Sequence, residues 1–245
     1  MNTSKFDLSN IQDKNYYLLL RDLLEYIRKQ QYNVGEKMPQ ESVLAVQLNT
    51  NRSTLREMLR VLEVMGVIDS RRGSGNIYLG NLEVGFMNLM LISSMLSENK
   101  PYEFCSIRAA IESAAIETFV DKAVGSDIFR LEILYEDKMA KNVDKNDLNY
   151  LEAHIAFHDT LMKYYENEAA KQLIRSNLRL MRRDYEMSID VDSSLSLQEK
   201  EKLRQQLVNN SHAMILQAVK ERDKVKARKL IIDHCFMAGL HKTYI

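Results

Sequence analysis

Residues 51–79 read NRSTLREMLRVLEVMGVIDSRRGSGNIYL, and this stretch decides the fold of the N-terminal part of the chain. Asn51 is a suitable N-cap, because its short side chain can accept a hydrogen bond from the first turn of a helix. The spacing of the apolar residues that follow predicts a helix that runs to about Met65 and ends at Gly66. Its inward face would carry Leu55, Met58, Leu59 and Leu62.

A small β-hairpin is predicted directly after this helix. Two short β-branched pieces, around residues 67–68 and 77–79, flank the basic, glycine-rich turn Arg71-Arg72-Gly73-Ser74-Gly75. Such runs on either side of a glycine turn are typical of a hairpin rather than of further helix. No other part of the sequence has a strand-like pattern.

Two more helices are predicted ahead of this stretch. The first spans about residues 12–30, where apolar side chains recur at helical spacing, and residues 33–36 end it. The second spans about residues 40–48, and Asn49 is a fair stop because asparagine tolerates the left-handed conformation. Helix, turn, helix and hairpin in this order predict a winged helix-turn-helix domain over residues 1–80.

From about residue 81 onward the sequence has helical patterns throughout. Gly125-Ser126 is interpreted as a helix stop followed by a new N-cap. Seven antiparallel helices predict an all-α bundle over residues 81–245, so the chain as a whole is predicted to be mainly α. The predicted helices lie near residues 83–97, 101–124, 126–143, 146–165, 168–188, 196–220 and 224–242.

Composition limits the class of protein. The formal net charge of the 245 residues is zero, so DNA binding would require a local basic patch. The two cysteines, Cys105 and Cys235, cannot form a disulfide framework, which fits a reducing cytosol. The most apolar stretch, about residues 84–96, is shorter than the roughly 20 residues that cross a bilayer. We therefore expect a cytoplasmic protein that does not enter the membrane.

The helix over residues 51–65 is the candidate DNA-reading element, because the major groove is wide enough to admit such a helix. Arginine can form paired hydrogen bonds with guanine, and serine or threonine hydroxyls can bind phosphate or a base edge. The tip of the hairpin would reach the backbone or the minor groove. The alternative is that these arginines form an ordinary solvated face. The predicted DNA-binding residues are Arg52, Ser53, Thr54, Arg56, Arg71, Arg72 and Gly73.

Four of the five histidines form a second candidate site. His154 and His158 are four residues apart and therefore share a helix face. His212 and His234 flank a predicted turn at residues 220–224, at roughly 12 and 16 Å from it along antiparallel helices. Four imidazoles from three helices could therefore converge on one metal ion. The alternative is that they are polar core residues of a metal-free protein.

An imidazole-only ligand set favours Zn, with Ni or Fe as alternatives, over Mg or Ca. Four neutral imidazoles leave the charge of the ion uncompensated, so a small organic acid would be favoured at an open position. Glu152 precedes His154 by two residues and points elsewhere, and the spacing is not the His-Glu-x-x-His of a zinc protease. We therefore expect a sensor rather than an enzyme.

Several N-terminal segments together keep the spacing of a known family: residues 32–41 (YNVGEKMPQE), 44–45 (LA), 51–59 (NRSTLREML), 62–66 (LEVMG) and 72–75 (RGSG). Over roughly residues 15–80 the chain resembles the winged helix-turn-helix of GntR-family transcriptional regulators. The resemblance implies a homodimer on a short palindromic operator.

The same resemblance implies DNA contacts for Arg52 and Arg56 in the helix and for Arg72 and Gly73 in the hairpin. Two positions depart from the family pattern. Ser42 stands where the family usually has an arginine that binds DNA, and Gln40 stands where it usually has a small N-cap residue. These departures leave the operator sequence open.

Residues 153–161 (AHIAFHDTL) and 212–215 (HAMI), with Ala218, Asp223, Ala227 and His234, resemble the two signatures of the FCD domain. This domain is the all-helical sensor of the FadR subfamily, and the resemblance covers roughly residues 83–242. It implies a divalent metal bound by one aspartate and three histidines. Here His154 takes the place of the aspartate, so the site has either four histidine ligands or three with His154 nearby.

Arg108 lies in the largely apolar segment of residues 107–112 (IRAAIE). The FCD family often has an arginine here that faces the sensor cavity. Arg108 is therefore the candidate partner for the carboxylate of an effector. The alternative is an ion pair at the surface or between helices.

These patterns together predict a metabolite-responsive transcriptional regulator. A homodimer would bind a double-stranded DNA operator, and a small organic acid effector would complete the metal coordination. One alternative is a metal-free sensor of the same architecture. The other is a metal-dependent enzyme joined to a DNA-binding head.

Overall fold

The computed structural model describes residues 15–71, 75–96, 100–140, 148–184 and 210–237. Within these residues the protein is mainly helical, with one two-stranded sheet, as the sequence predicts. The chain divides into two compact units, Met1–Asn88 and Leu89–Ile245. Arg72 and Gly73, two of the predicted DNA-binding residues, lie outside the described part.

The first unit has three helices followed by a hairpin. They are α1 (Asn15–Gln30), α2 (Glu41–Gln47), α3 (Arg52–Val64), β1 (Ile68–Arg71) and β2 (Gly75–Tyr78). The strands are antiparallel, with Ile68 opposite Tyr78 and Arg71 opposite Gly75. Lys37 forms an isolated bridge with Ile77, a strand-like pairing that the sequence analysis did not predict.

Local signals set the ends of these helices as predicted. The Asn51 Oδ1 atom accepts a hydrogen bond of 2.8 Å from the backbone N–H of Thr54, which confirms the N-cap of α3. Asn49 has a φ of 48° and Gly66 a φ of 74°, so both adopt the left-handed conformation where a helix stops. The buried core of this unit comprises Leu19, Leu23, Ile27, Met38, Leu44, Ala45, Leu55, Met58, Leu59, Leu62, Val67 and Ile68.

Helix α4 (Glu83–Leu96) runs across the boundary between the two units. The helices that follow it are α5 (Lys100–Lys122), α6 (Gly125–Ile133), α7 (Leu148–Leu161), α8 (Glu168–Asp184), α9 (described over residues 210–220) and α10 (Lys224–Met237). Helix α5 packs most extensively against α10. Among the described residues, no helix is long and apolar enough to cross a membrane.

The helix predicted over residues 126–143 differs from the one observed. Ser126 is not its N-cap: α6 begins one residue earlier, because Asp127 Oδ2 accepts a hydrogen bond of 3.1 Å from the backbone N–H of Val124. After Ile133 the chain continues as a π-helical segment, Leu134–Met139. Residues five apart on an α-helix would point in different directions, whereas the wider turn lets Leu134 and Met139 enter the same core.

The turn predicted between the last two helices is confirmed at residues 221–222. Arg222 has a φ of 58°, and its guanidinium donates hydrogen bonds of 2.6 Å to the carbonyls of Val120 and Ala123 near the end of α5. Asp223 Oδ1 accepts a hydrogen bond of 2.9 Å from the backbone N–H of Lys226 at the start of α10. These contacts fix the connection that brings α9 and α10 side by side.

Candidate metal centre and DNA-reading helix

Four histidine side chains from three helices converge inside the second unit. His154 and His158 lie on α7, His212 on α9 and His234 on α10. One ring nitrogen from each lies within 4.8 Å of the corresponding nitrogen of every other. Three of the rings are buried and His154 is partly exposed. The structure therefore brings together all four residues that the sequence singled out.

The spacing of these nitrogens fits a coordination sphere. His158 Nε2 lies 3.1 Å from His154 Nε2 and 3.4 Å from His212 Nε2. Around an ion bound at roughly 2.1 Å, neighbouring ligand nitrogens lie roughly 3.0–3.4 Å apart and opposite ones roughly 4.2 Å apart. The set is therefore at most slightly wider than an ion requires.

His234 has one paired and one unpaired ring nitrogen. Ser211 Oγ lies 2.8 Å from its Nδ1 atom. Its Nε2 atom is buried and has no hydrogen-bond partner among the described residues. A buried polar atom without a partner is costly, so such an atom commonly indicates an ion or a water molecule. Here it faces three other imidazoles.

A buried charge pair adjoins the histidines. Glu112 Oε2 accepts a hydrogen bond of 2.9 Å from Arg108 Nε, four residues earlier on α5. Glu112 Oε1 lies 2.8 Å from His158 Nδ1. Arg108 Nη2 lies 3.0 Å from Nε2 and 3.4 Å from Nδ1 of His158. The guanidinium of Arg108 is therefore within hydrogen-bond distance of both ring nitrogens of His158, including the Nε2 atom that faces His154 and His212.

Burial and charge set the protonation of this region. Burial would raise the pKa of Glu112, but Arg108 and His158 lower it to about 2, so the carboxylate is ionised. Burial lowers the pKa of His158 despite the opposing effect of Glu112. Burial, followed by the neighbouring His212 and Arg108, lowers the pKa of His234 well below its ordinary value. Both rings are therefore neutral at pH 7, the form that binds metal ions.

In the first unit, the start of α3 carries a compact set of polar side chains. Asn51 Oδ1 accepts hydrogen bonds from the hydroxyls of Ser53 at 2.6 Å and Thr54 at 2.9 Å. Both hydroxyls are already used in this arrangement, so each would have to turn to donate to a phosphate. Arg52 has a side chain 65% exposed, which leaves it accessible to DNA.

The second predicted arginine of α3 is held by an acidic partner on α2. Arg56 Nη2 and Nε lie 2.7 and 3.2 Å from Glu41 Oε2. Hydrogen bonding from Arg56 lowers the pKa of Glu41. At the hairpin, Arg71 Nε donates a hydrogen bond of 2.7 Å to Asp69. Each predicted arginine that the structure describes is therefore exposed and close to a carboxylate.

Comparison with known families identifies both units. The FCD domain family matches residues 103–236, more than half of the chain, and the gntR family of bacterial regulatory proteins matches residues 18–77. The chain is a GntR-family transcriptional regulator with an FCD domain.

This GntR-family regulator is 28% identical over 222 residues to the Uxu operon transcriptional regulator of Escherichia coli, an alignment that covers 88% of this chain and 80% of that protein. It is 23% identical over 175 residues to the galactonate operon transcriptional repressor of Escherichia coli, covering 69% of this chain and 76% of that protein. These relatives are transcriptional regulators, and the enzyme alternative finds no support among them.

A solved structure of a Streptococcus agalactiae GntR protein has a similar fold. It aligns with a TM-score of 0.59 and 23% sequence identity, covering 91% of this chain and 97% of the other. At this identity the likeness shows the shared fold, a winged-helix unit followed by a helical one.

Sequence reasoning missed three residues of this GntR-family regulator that contact its candidate sites. Glu112 could have been found, because it lies four residues after Arg108 in an apolar segment and therefore on the same helix face. Ser211 and Glu41 carried no comparable signal. Their contacts depend on how neighbouring helices cross.

Proposed function

We propose that this GntR-family regulator senses a small organic acid through a divalent metal held by its four clustered histidines. The buried Nε2 atom of His234, which has no partner among the described residues, carries the proposal. An unsatisfied buried acceptor costs roughly 1–3 kcal/mol, and an ion within reach of four imidazole nitrogens would remove that cost. The proposed ligands are His154, His158, His212 and His234.

The donor set favours zinc, with nickel or iron as alternatives. Imidazole nitrogen suits these ions, whereas magnesium and calcium prefer oxygen. When bound, the ion would act as a Lewis acid that accepts an anionic oxygen at an open coordination position. His154 is partly exposed, which supports access to the ion from that side.

Charge supports an organic acid as the effector. The four imidazoles are neutral ligands, so an ion would keep its two positive charges, and the guanidinium of Arg108 beside His158 is balanced by the carboxylate of Glu112. A carboxylate placed between the ion and this arginine would be held by charge-assisted contacts. One relative is the repressor of an operon named for galactonate, which is itself a hydroxylated carboxylate.

On the DNA side, we propose that a cytoplasmic homodimer of the FadR subfamily binds a palindromic operator. Each winged helix would occupy one half-site, with α3 in the major groove. The domains would divide near residue 80, into 1–80 for DNA binding and 81–245 for metal and effector binding. The proposed DNA contacts are Arg52, Ser53, Thr54, Arg56, Arg71, Arg72 and Gly73.

The effector would regulate by binding one conformation more tightly than the other. A ligand shifts the equilibrium between DNA-binding and non-binding states only by the difference between its affinities for the two. By the same linkage, operator DNA would change the affinity for the effector by an equal factor.

Thermal-shift screening of organic acids tests this function. We expect some acids to raise the melting temperature of the zinc-loaded protein, to leave the metal-free protein unchanged, and to alter operator affinity in a mobility-shift assay. The control is His241→Ala, which removes the fifth histidine of the sequence. Acids that stabilise the metal-free protein equally well would instead favour the metal-free sensor.

A further inference from the structure

Glu112 links several buried groups beside the four histidines. Its side chain is only 3% exposed and belongs to α5. Oε1 faces His158 on α7, and Oε2 accepts hydrogen bonds from Arg108 on its own helix and from Cys235 Sγ on α10, the latter at 3.1 Å. One carboxylate therefore contacts groups on three helices that surround the candidate metal site.

The contact with His158 determines which ring nitrogen can bind an ion. The 2.8 Å contact is an ion-pair distance, and Oε1 accepts no hydrogen bond among the described residues; because a carboxylate has no hydrogen to donate, its charge favours the tautomer of His158 with the hydrogen on Nδ1. The lone pair is then on Nε2, the nitrogen that faces His154, His212 and the guanidinium of Arg108. Metal-binding histidines are commonly oriented in this way by a carboxylate on the other nitrogen.

Glu112 also differs in charge from the residue that orients His234. Ser211, which faces Nδ1 of His234, is neutral. All four proposed ligands are imidazoles, so the ligand set itself lacks a negative charge. Glu112 places an anionic group next to a ligand ring, although Arg108 shares that charge.

We propose that Glu112 is a positioning residue of the metal centre, which acts directly on His158 and not only by neutralising Arg108. The inference rests on the proposed metal site. The two contacts of Glu112 can be tested separately, because the contact with His158 uses Oε1 and the contact with Arg108 uses Oε2. Removing Arg108 therefore removes one role of the carboxylate and keeps the other.

Four proteins test the proposal: the wild type, Glu112→Gln, Arg108→Gln and the double variant. The affinity for Zn²⁺ is measured by competition with a chromophoric chelator. We expect Glu112→Gln to weaken binding roughly 10- to 100-fold, as is typical of outer-shell partners, with or without Arg108. The double variant removes both charges together, so it does not leave one buried charge unpaired.

The matched control is Glu152→Gln. Glu152 lies on α7 with His154 and His158, but its side chain is 56% exposed and pairs with Arg179. We expect no change in Zn²⁺ affinity. A second readout is the absorption spectrum of the Co²⁺-loaded protein, which should differ between wild type and Glu112→Gln because a neutral amide holds the ring of His158 less strongly than the carboxylate does. Thermal unfolding of the metal-free proteins checks that all variants are folded.

The outcomes are distinguishable. If the double variant binds Zn²⁺ as tightly as Arg108→Gln, Glu112 acts only through Arg108 and the proposal is wrong. If the folded wild type binds no Zn²⁺, the proposed function fails and this inference fails with it. If the wild type binds Zn²⁺ and Glu112→Gln binds it equally tightly, this inference is wrong and the proposed function still stands.

Discussion

Ser211 Oγ lies 2.8 Å from Nδ1 of His234, and this serine leaves the opposite ring nitrogen buried and unpaired within the described part of the chain. In His158, Glu112 lies near Nδ1, and both Arg108 and the other imidazoles lie near Nε2. In His234 a polar group contacts one nitrogen and leaves the second for an ion, as outer-shell residues do in metal sites.

Replacing Ser211 by alanine should weaken Zn²⁺ binding roughly ten-fold. This is the lower end of the roughly 10- to 100-fold range for outer-shell partners, because a serine carries no charge. The ring of His234 would lose the contact that orients it. Chelator competition measures the effect. The matched control is Ser176→Ala, because Ser176 is equally buried but its hydroxyl bonds Gln172 on its own helix. Equal losses in the two variants would contradict a specific role.

His154 is predicted to be a metal ligand, so His154→Ala should weaken Zn²⁺ binding, whereas His154→Asp should retain a metal. Because carboxylates suit Mn²⁺ better than imidazole does, the aspartate variant should also accept more Mn²⁺ than the wild type. Mass spectrometry of protein loaded from an equimolar mixture of the two ions checks this. Unchanged affinity in His154→Ala would point to a site of three histidines.

Much of both units could be predicted because the signals are local. Asn51 caps a helix through a contact three residues away, and His154 and His158 share a face by spacing alone. The convergence of His212 with His234 followed from their similar distances to one turn. Their ring centroids lie 4.3 Å apart.

The unpredicted features depend on contacts between distant segments. Glu112 meets the thiol of Cys235, 123 residues later in the sequence, and Arg56 meets Glu41 across 15 residues. Residues so far apart have no fixed spacing that a pattern could reveal. The earlier start of α6 at Gly125 arose similarly, since a glycine–serine pair suggested one cap and the carboxylate of Asp127 provided another.

Arg56→Ala should cost roughly 1–3 kcal/mol of specific DNA binding if Arg56 forms paired hydrogen bonds with guanine. Fluorescence anisotropy on an operator selected from random duplexes measures the loss. Arg21→Ala is the control, because Arg21 is an exposed arginine on α1 of the same unit that pairs with Asp22. If both variants weaken specific and non-specific DNA equally, Arg56 contributes charge rather than base recognition.

Asp127 should make the stability of the second unit depend on acid pH. Burial would raise its pKa, but hydrogen bonds from Lys163, Tyr164 and the backbone of Val124 lower it. A pKa lowered in the folded state means that the carboxylate stabilises the fold above about pH 3.9, the ordinary aspartate pKa, and that this is lost as the pH falls through the folded-state pKa. Asp127→Asn should therefore reduce stability at pH 7 by roughly 1 kcal/mol, because hydrogen bonds to a charged carboxylate are stronger than those to a neutral amide oxygen.

Urea unfolding followed by circular dichroism between pH 7 and pH 3 measures this dependence. The difference between wild type and Asp127→Asn should be constant near neutral pH and should shrink below about pH 4. Asp121→Asn is the control, because that carboxylate is 55% exposed where it pairs with Lys224. A stability difference that grows as the pH falls would show that folding raises the pKa of Asp127 instead of lowering it.

The metal content of the protein tests the central claim most directly. It should be measured by elemental analysis on protein purified without a metal-affinity tag and after titration with Zn²⁺. We predict about one ion per chain in the wild type and in His241→Ala, and almost none when both His158 and His212 are replaced by alanine. A folded wild type that binds no more Zn²⁺ than this double variant would contradict the metal centre.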